Sequence, residues 1–303
     1  MADQKPYENI TVVVTGASSG FGKGVVRRLA EGGANVVAAA RRKHLLDELA
    51  AECGPNNVMA VETDVSKEED IVNLVDAANR KFDKIDVWIN NAAVGTIGVY
   101  DEVPLADLRR MVEINVHGTI YGSHYALRLF EEQGKGTLIN LSSVSANVAF
   151  PYYTPYSASK YAVTGLSDAL HEEMAMTGRD DIHVCTVYPW ATDTPWFEHT
   201  ANYTGHLAEM KPMDDPEIVI DAIIDLIDNP KQTVNVGMKT KGTTASSKVA
   251  AGMTEKMNAR QVLKVIKDAP PAGPTSGSLH NPMLSGTEVD GGIRARMKAE
   301  KSE

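Results

Sequence analysis

Tyr156 and Lys160, within the stretch Tyr156-Ser157-Ala158-Ser159-Lys160, are the residues whose types and spacing point most directly to chemistry. Four apart on a helix, they share one face, so an ammonium stands beside a phenol. A free tyrosine titrates near pH ~10, and to give and take a proton near neutrality it must become about a thousandfold more acidic, ~4 kcal/mol. A neighbouring cation favours the phenolate and supplies part of that. Thr154 suits an N-cap and Pro155 the first helical position, so a helix is predicted from Tyr156 to Met176, stopping at Gly178. Such pairs also occur on solvated helix faces. The meaning of this one rests on what the rest of the chain places around it.

A second group of residues reads as a phosphate cradle. The β-branched run Ile10 to Thr15 flows into Gly16-Ala17-Ser18-Ser19-Gly20-Phe21-Gly22 and then into a helix reaching about Glu31. Strand, glycine-rich turn and helix together let a backbone approach a pyrophosphate at a helix N-terminus. The spacing Gly-x-x-x-Gly-x-Gly differs from the common Gly-x-Gly-x-x-Gly fingerprint, and flexible turns also use glycine. With strand and helix in place, nucleotide binding is the expectation. A second strand, Asn35 to Ala40, ends at Arg41-Arg42, with no carboxylate until Asp47. An acidic residue there holds a ribose 2′-hydroxyl, whereas arginine accommodates a 2′-phosphate, so NADP(H) is favoured over NAD(H).

The elements that must position these residues follow in order. Lys43 to Glu52 is a predicted helix and Val58 to Val61 a third strand, followed by Asp64-Val65, where Asp64 suits a cap, a turn or an adenine contact. Ser66-x-x-Glu69 has the form of a capping box. Val87 to Ile89 is a fourth strand leading into Asn90-Asn91-Ala92-Ala93, where small residues and amides suit close approach of a ligand to backbone or an Asx-rich turn. One long helix is predicted from about Pro104 to Glu132, with Asn115 inside its apolar face and in need of partners. Gly136 to Leu141 is a fifth strand ending at Ser142-Ser143-Val144-Ser145, and Ile182 to Val187 a sixth ending at Tyr188-Pro189-Trp190-Ala191-Thr192-Asp193-Thr194-Pro195. Residues 195–213 read as an irregular surface loop with a short helix, Asp215 to Asp228 as an amphipathic helix, and Thr233 to Val236 as a seventh strand. Strands alternating with helices predict an α/β fold with a doubly wound, parallel, seven-stranded sheet. Ligands of such sheets bind at the carboxyl ends of the strands, where the glycine turn, Arg41, Asp64, Asn90, Ser143 and Pro189 all fall.

Composition narrows the classes. The chain has 303 residues, 43% hydrophobic and 23% charged, as in ordinary soluble globular proteins. A net charge of −10 disfavours nucleic acid and anionic membrane surfaces as partners. No apolar run approaches the ~20 residues of a membrane span, and the N-terminal residues lack the apolar run of a signal peptide. Cys53 and Cys185 have no metal spacing and read as reduced thiols, the second buried, so a cytoplasmic location is expected. None of the eight histidines shows a metal-binding spacing, and no metal is expected; His199 and His206, in the lid region, read as surface residues or as substrate contacts.

With these motifs assembled, residues 8–238 resemble the short-chain dehydrogenase/reductase family. The resemblance rests on Thr15-Gly-x-x-x-Gly-x-Gly22, Asp64-Val65, Asn90-Asn91-Ala92, Asn115, Ser143, Tyr156-x-x-x-Lys160 and the Pro189 to Thr194 turn. It implies a Rossmann-type sheet, a nicotinamide cofactor, and hydride transfer between a carbonyl and an alcohol. It makes Tyr156 the general acid or base. Lys160 would lower the tyrosine pKa and bind the nicotinamide ribose, and Ser143 would hold the substrate oxygen. Ser143 is chosen over Ser142 and Ser145 because the family places this serine thirteen residues before the tyrosine. Asn115 would anchor a water leading to Lys160, and Thr192 and Thr194 would contact the nicotinamide amide or the pyrophosphate. The resemblance favours NADP after Arg41 and implies a homodimer or homotetramer. Two departures stand out: Ala93 replaces the usual glycine of Asn-Asn-Ala-Gly, and Trp190 that of Pro-Gly.

The expected pocket walls are Val94 to Val99, Val144 to Tyr153, Trp190 and residues 195–213, including Val148, Phe150, Tyr152, Tyr153, Trp196 and Phe197. They suit an apolar or aromatic ketone, aldehyde or secondary alcohol, or else they pack a lid. Residues 1–238 are read as the catalytic domain and 239–303 as an extension. In the extension, Thr243 to Asp268 reads as helix and Pro270 to Gly292 as an extended or partly disordered arm. Leu279, Met283, Leu284 and Val289 could dock that arm near the active-site mouth or a subunit contact. The alternatives are an NAD-dependent alcohol dehydrogenase of the same family and a non-catalytic dinucleotide-binding sensor.

Overall fold

Hydrophobic residues on successive positions of one strand face opposite sides of a sheet, so a strand apolar at every position must be covered twice. Strand β1, Thr11–Thr15, is buried throughout. Its Val12 and Val14 pack in one core cluster and its Val13 in another. The computed structural model, described for residues 6–300 with the side chains of 245–255 excluded, meets that demand with helices on both faces.

The strands β1, β2 (Asn35–Ala40), β3 (Val58–Glu62), β4 (Val87–Asn90), β5 (Gly136–Leu141), β6 (Ile182–Tyr188) and β7 (Thr233–Asn235) form one seven-stranded sheet, ordered 3-2-1-4-5-6-7. Every pairing is parallel; Val13, for example, lies between Val37 and Trp88. One face is covered by helices α1 (Gly20–Glu31), α2 (Lys43–Cys53) and the later helix Glu217–Asp228, whose Val25, Leu46 and Ile220 share the cluster of Val12. The other is covered by α3 (Glu68–Phe82), the long Leu105–Gln133 segment and the helix Thr154–Met176. The strand order reverses between β1 and β4, which opens the crevice where such sheets bind ligands. A two-residue ribbon, Thr96–Ile97 with Ala201–Asn202, ties the loops above that crevice.

Three local expectations are corrected. The long helix is interrupted by a π-helical turn, Glu113–His117, that carries Asn115. The proposed capping box does not form: α3 starts at Glu68 with Lys67 before it, because the Ser66 hydroxyl is bonded to Asp64 and Arg110. Thr154 lies inside its helix, which has Tyr153 as N-cap and no side-chain capping bond. Beyond β7, a helix runs Gly237–Asp268 and buries Val262 and Ile266 in a third, aromatic-rich cluster. Residues from 269 onward then return across the sheet's carboxyl edge. Among the described residues no helix is long and apolar enough to cross a membrane.

Candidate active site

Two glycines set the floor of the site. Gly16 has φ +68°, and a Cβ there would stand 2.7 Å from the Ala92 Cα; a Cβ on Gly22 would meet the Gly16 carbonyl at 2.5 Å. Only bare backbone lets the first turn of α1 close on the tip of β1. Asn91 fixes that tip: its Nδ2 donates to the Thr15 carbonyl at 2.8 Å, while the amides of Asn91 and Ala92 donate to the Thr15 hydroxyl. These bonds hold the two strands that flank the crevice in register.

A cavity of ≈ 250 Å³ runs along the strand ends. It is lined by Gly16, Ser18, Ser19, Gly20 and Phe21 of the glycine turn, by Arg41 and Arg42, and by Asp64 and Val65. Asn91, Ala92, Ser143, Tyr156, Lys160, Pro189, Thr192 and Thr194 complete its expected lining. Of the candidate residues, Gly22 and Asn115 alone lie outside it, directly behind the wall.

At the inner end, the Tyr156 phenol is hydrogen-bonded to the Ser143 hydroxyl, which also accepts the Ser145 amide at 3.1 Å. Ser142 points elsewhere, to the Lys160 carbonyl and the Thr164 hydroxyl. Lys160 Nζ lies 5.7 Å from the centre of the Tyr156 ring and donates to the Leu141 carbonyl at 2.7 Å. Burial dominates both titrations. It pushes the phenol up to about 12, with the Ser143 bond opposing, and the ammonium down to about 7. The expected lowering of Tyr156 is therefore absent from the protein by itself, because the amine that should supply it is itself desolvated. Asn115 is wholly engaged by protein: Oδ1 accepts the Val94 amide, and Nδ2 donates to the Val94 carbonyl and the Ser159 hydroxyl. Both amide hydrogens are used, so its side chain braces the β4 tip against the Tyr156 helix.

At the outer end stand three arginines. Arg110 pairs with the Asp64 carboxylate, which hydrogen bonds from Ser66 and Arg110 hold below its ordinary range. Arg42 donates to Ser18 at 3.0 Å and to Ser19 at 2.7 Å, tying β2 to the glycine turn. Arg41 and Arg42 have no carboxylate at ion-pair distance among the described residues; their acceptors are hydroxyls and carbonyls. Burial weakens the hold of both guanidiniums on their protons, and each feels another guanidinium nearby. Two guanidiniums, Arg42 buried and Arg41 half-buried, with only the more distant Asp64 and Glu198 carboxylates opposing them, favour an anion between them.

Aromatic side chains close the middle. Trp196 packs against the Tyr156 ring, 4.9 Å between centroids, and Phe197 packs edge-on against Trp196. Trp190 meets Phe150 edge-on and donates its indole N–H to the Pro212 carbonyl at 2.8 Å. Phe150, Tyr153 and Met210 complete this wall. Val148 and Tyr152 do not line the cavity: Val148 is buried within the aromatic cluster and Tyr152 packs at its edge. His199 is no free surface histidine, since its Nε2 meets the Ser285 carbonyl at 3.1 Å. Met210 falls within the expected wall 195–213, whereas Ser278 and Pro282 were not expected as lining residues. Met283, which also lines the cavity, was legible only as an apolar residue in a Pro- and Gly-rich tail.

The comparisons agree with this geometry. A model of the short chain dehydrogenase family matches residues 10–203. The uncharacterized oxidoreductase YxnA of Bacillus subtilis is 32% identical over 260 residues, 84% of this chain and 72% of that protein. The 3-ketoacyl-(acyl-carrier-protein) reductase of Brucella melitensis, solved with NADH, has a TM-score of 0.65 at 28% identity, covering 76% of this chain and 97% of the other. A short chain dehydrogenase of Burkholderia cenocepacia, solved with NADP, shares the fold at a TM-score of 0.70 and 24% identity, covering 83% and 98%. The chain belongs to the short-chain dehydrogenase family. It is an NAD(P)-dependent dehydrogenase or reductase with a Rossmann-type sheet.

Proposed function

We propose that the protein transfers a hydride between NADP(H) and an apolar or aromatic carbonyl or secondary alcohol, with Tyr156 as the proton donor and acceptor. The observation that carries this reading is a cavity joining two arginines without a carboxylate at ion-pair distance to the Ser143–Tyr156 pair under an aromatic wall. The residues fit a dinucleotide. The glycine turn, Ala92, Pro189, Thr192 and Thr194 would hold its pyrophosphate and nicotinamide, Asp64 and Val65 its adenine, and Arg41 and Arg42 a 2′-phosphate. When bound, the nicotinamide supplies or accepts the hydride. Ser143 holds the substrate oxygen, Tyr156 gives it a proton in reduction and removes one in oxidation, and Trp196 keeps water from the phenol. Asn115 positions the Tyr156 helix. Residues 1–238 act as the catalytic domain and 239–303 as its extension. Exposed Leu105, Val112, Ile120 and Tyr161 on neighbouring helices suit a homo-oligomer, and the location is cytoplasmic.

The testing experiment follows NADPH and NADH oxidation against a panel of ketones and aldehydes. Aromatic ketones should give kcat/KM values at least ~10-fold above small charged ones, the scale on which apolar pockets discriminate. A clear preference for small charged substrates rejects the substrate reading. One observation favours a second reading, in which the cofactor is NAD: carbonyls already occupy donors of both arginines.

Lys160 gives a separate expectation. Burial places its titration at about 7, so above that pH the amine of the free protein is neutral. Ribose hydroxyls would resolvate the ammonium and return its proton, and a cation there favours the phenolate. Cofactor binding at pH 8 should therefore take up close to one proton, and affinity should fall as pH rises above 7. Calorimetry in buffers of different ionisation heat reads this directly. Uptake that persists in Lys160→Met assigns it to another group.

A further inference from the structure

We propose that residues 277–294 are themselves part of the cofactor site, forming an outer wall that clasps the adenosine end of the bound dinucleotide. The proposal rests on the dinucleotide reading above but not on the choice of NADP over NAD.

The arm lines the cavity through Ser278, Pro282 and Met283, together with Asp64 and Val65. It is fastened at three places along the crevice. At its start, Arg41 donates to the carbonyls of Ser278 and Leu279, and the Leu279 side chain is fully buried beside Met111 and Ile114. In the middle, one Arg42 nitrogen faces the carbonyls of Met283, Ser285 and Gly286 at 3.1 to 3.3 Å. The Gly20 amide, in the glycine turn, donates to the Glu288 carbonyl at 2.9 Å. At its end, the fully buried Asp193 carboxylate accepts the amides of Ile293 and Arg294 at 3.0 and 2.8 Å. Asp193 sits between Thr192 and Thr194, so the arm also holds the loop expected at the nicotinamide end.

The arm's sequence is built for this contact. A Cβ on Gly277 would stand 2.2 Å from the His199 carbonyl, and one on Gly291 2.7 Å from the Thr194 carbonyl. Side chains that face away, such as Leu284, are exposed. The acceptors offered to Arg41 and Arg42 are neutral carbonyls. They fix the guanidinium planes without discharging them, so the attraction for phosphate persists. An incoming anion then relieves the cost of burying two cations, and arm docking and cofactor binding strengthen each other.

The test uses the full chain. Amide hydrogen exchange over residues 278–292 is measured with and without NADPH and NADH. Cofactor dissociation is timed for wild type and for Gly277→Ala/Gly291→Ala, positions outside the cavity lining whose new Cβ atoms press the arm away from the His199 and Thr194 carbonyls. Near-UV circular dichroism checks that the body is intact. Cofactor should slow exchange in the arm, and the variant should exchange faster there and release cofactor about tenfold faster, since such changes fall mainly on dissociation. Exchange in the arm that ignores both cofactors overturns the proposal. So does a variant whose loosened arm leaves release unchanged or slows it. Protection and faster release seen with NADH, together with weak NADPH binding, keep the clasp and reject the 2′-phosphate reading instead.

Discussion

Tyr156→Phe is expected to cut turnover by roughly 10²–10⁴-fold, the usual contribution of a positioned general acid or base. The change deletes one oxygen and keeps the ring that packs 4.9 Å from Trp196 and 5.7 Å from Lys160 Nζ. Stability and cofactor affinity should hardly move, so the loss belongs in kcat. The Ser143 hydroxyl loses its phenolic partner but keeps the Ser145 amide, so no buried group is orphaned. Steady-state rates with the best carbonyl of the panel, beside cofactor titrations of both proteins, make the measurement. Turnover retained within a few-fold would remove the tyrosine from proton transfer. Cofactor binding with no turnover in wild type, on any carbonyl tried, would favour the sensor reading.

Arg41→Ala should weaken NADPH by roughly 10–100-fold, the scale of about 1.5–3 kcal/mol for hydrogen bonds to a charged group. NADH has no 2′-phosphate to lose. The same substitution also frees the carbonyl of Ser278 and leaves that of Leu279 to Arg110 alone, which costs both cofactors alike. The ratio of the two affinities therefore isolates the phosphate contribution. An equal loss for both, or none, rejects the 2′-phosphate role and leaves Arg41 as a fastener of the arm. Arg42 is the less clean probe, because it also grips Ser18 and Ser19.

What the sequence made legible was short-range or periodic. Continuous apolar runs such as Val12-Val13-Val14 announce a strand covered on both faces, and seven of them in alternation with helices leave little choice of sheet. The glycine turn, Arg41 and Ser143 fall at strand ends, and the structure brings them into one cavity with the Tyr156–Lys160 pair of the following helix. Competition between partners was less legible. Ser66 has the spacing of a cap, yet Asp64 and Arg110 bind its hydroxyl, and only the fold places Arg110 there. Spacing put Lys160 beside Tyr156 but could not show that the ammonium is buried and the phenol desolvated, which reverses the expected direction of the tyrosine shift. The apolar residues of the tail were visible as docking groups. The active-site mouth was one of the two destinations they suggested, but the means of attachment was not legible, since carbonyls bonded to Arg41 and Arg42 leave no trace in side-chain pattern.

The pairing of Arg41 with Leu279 spans 238 positions, and this has a consequence for how the protein is made. Translation delivers ~5–20 residues each second, so the strand carrying Arg41 leaves the ribosome roughly ten seconds to a minute before its partner exists. During that interval the sheet can assemble from neighbouring segments while both guanidiniums stay open to solvent and to free nucleotide. The outer wall arrives only after the groove it covers has been made.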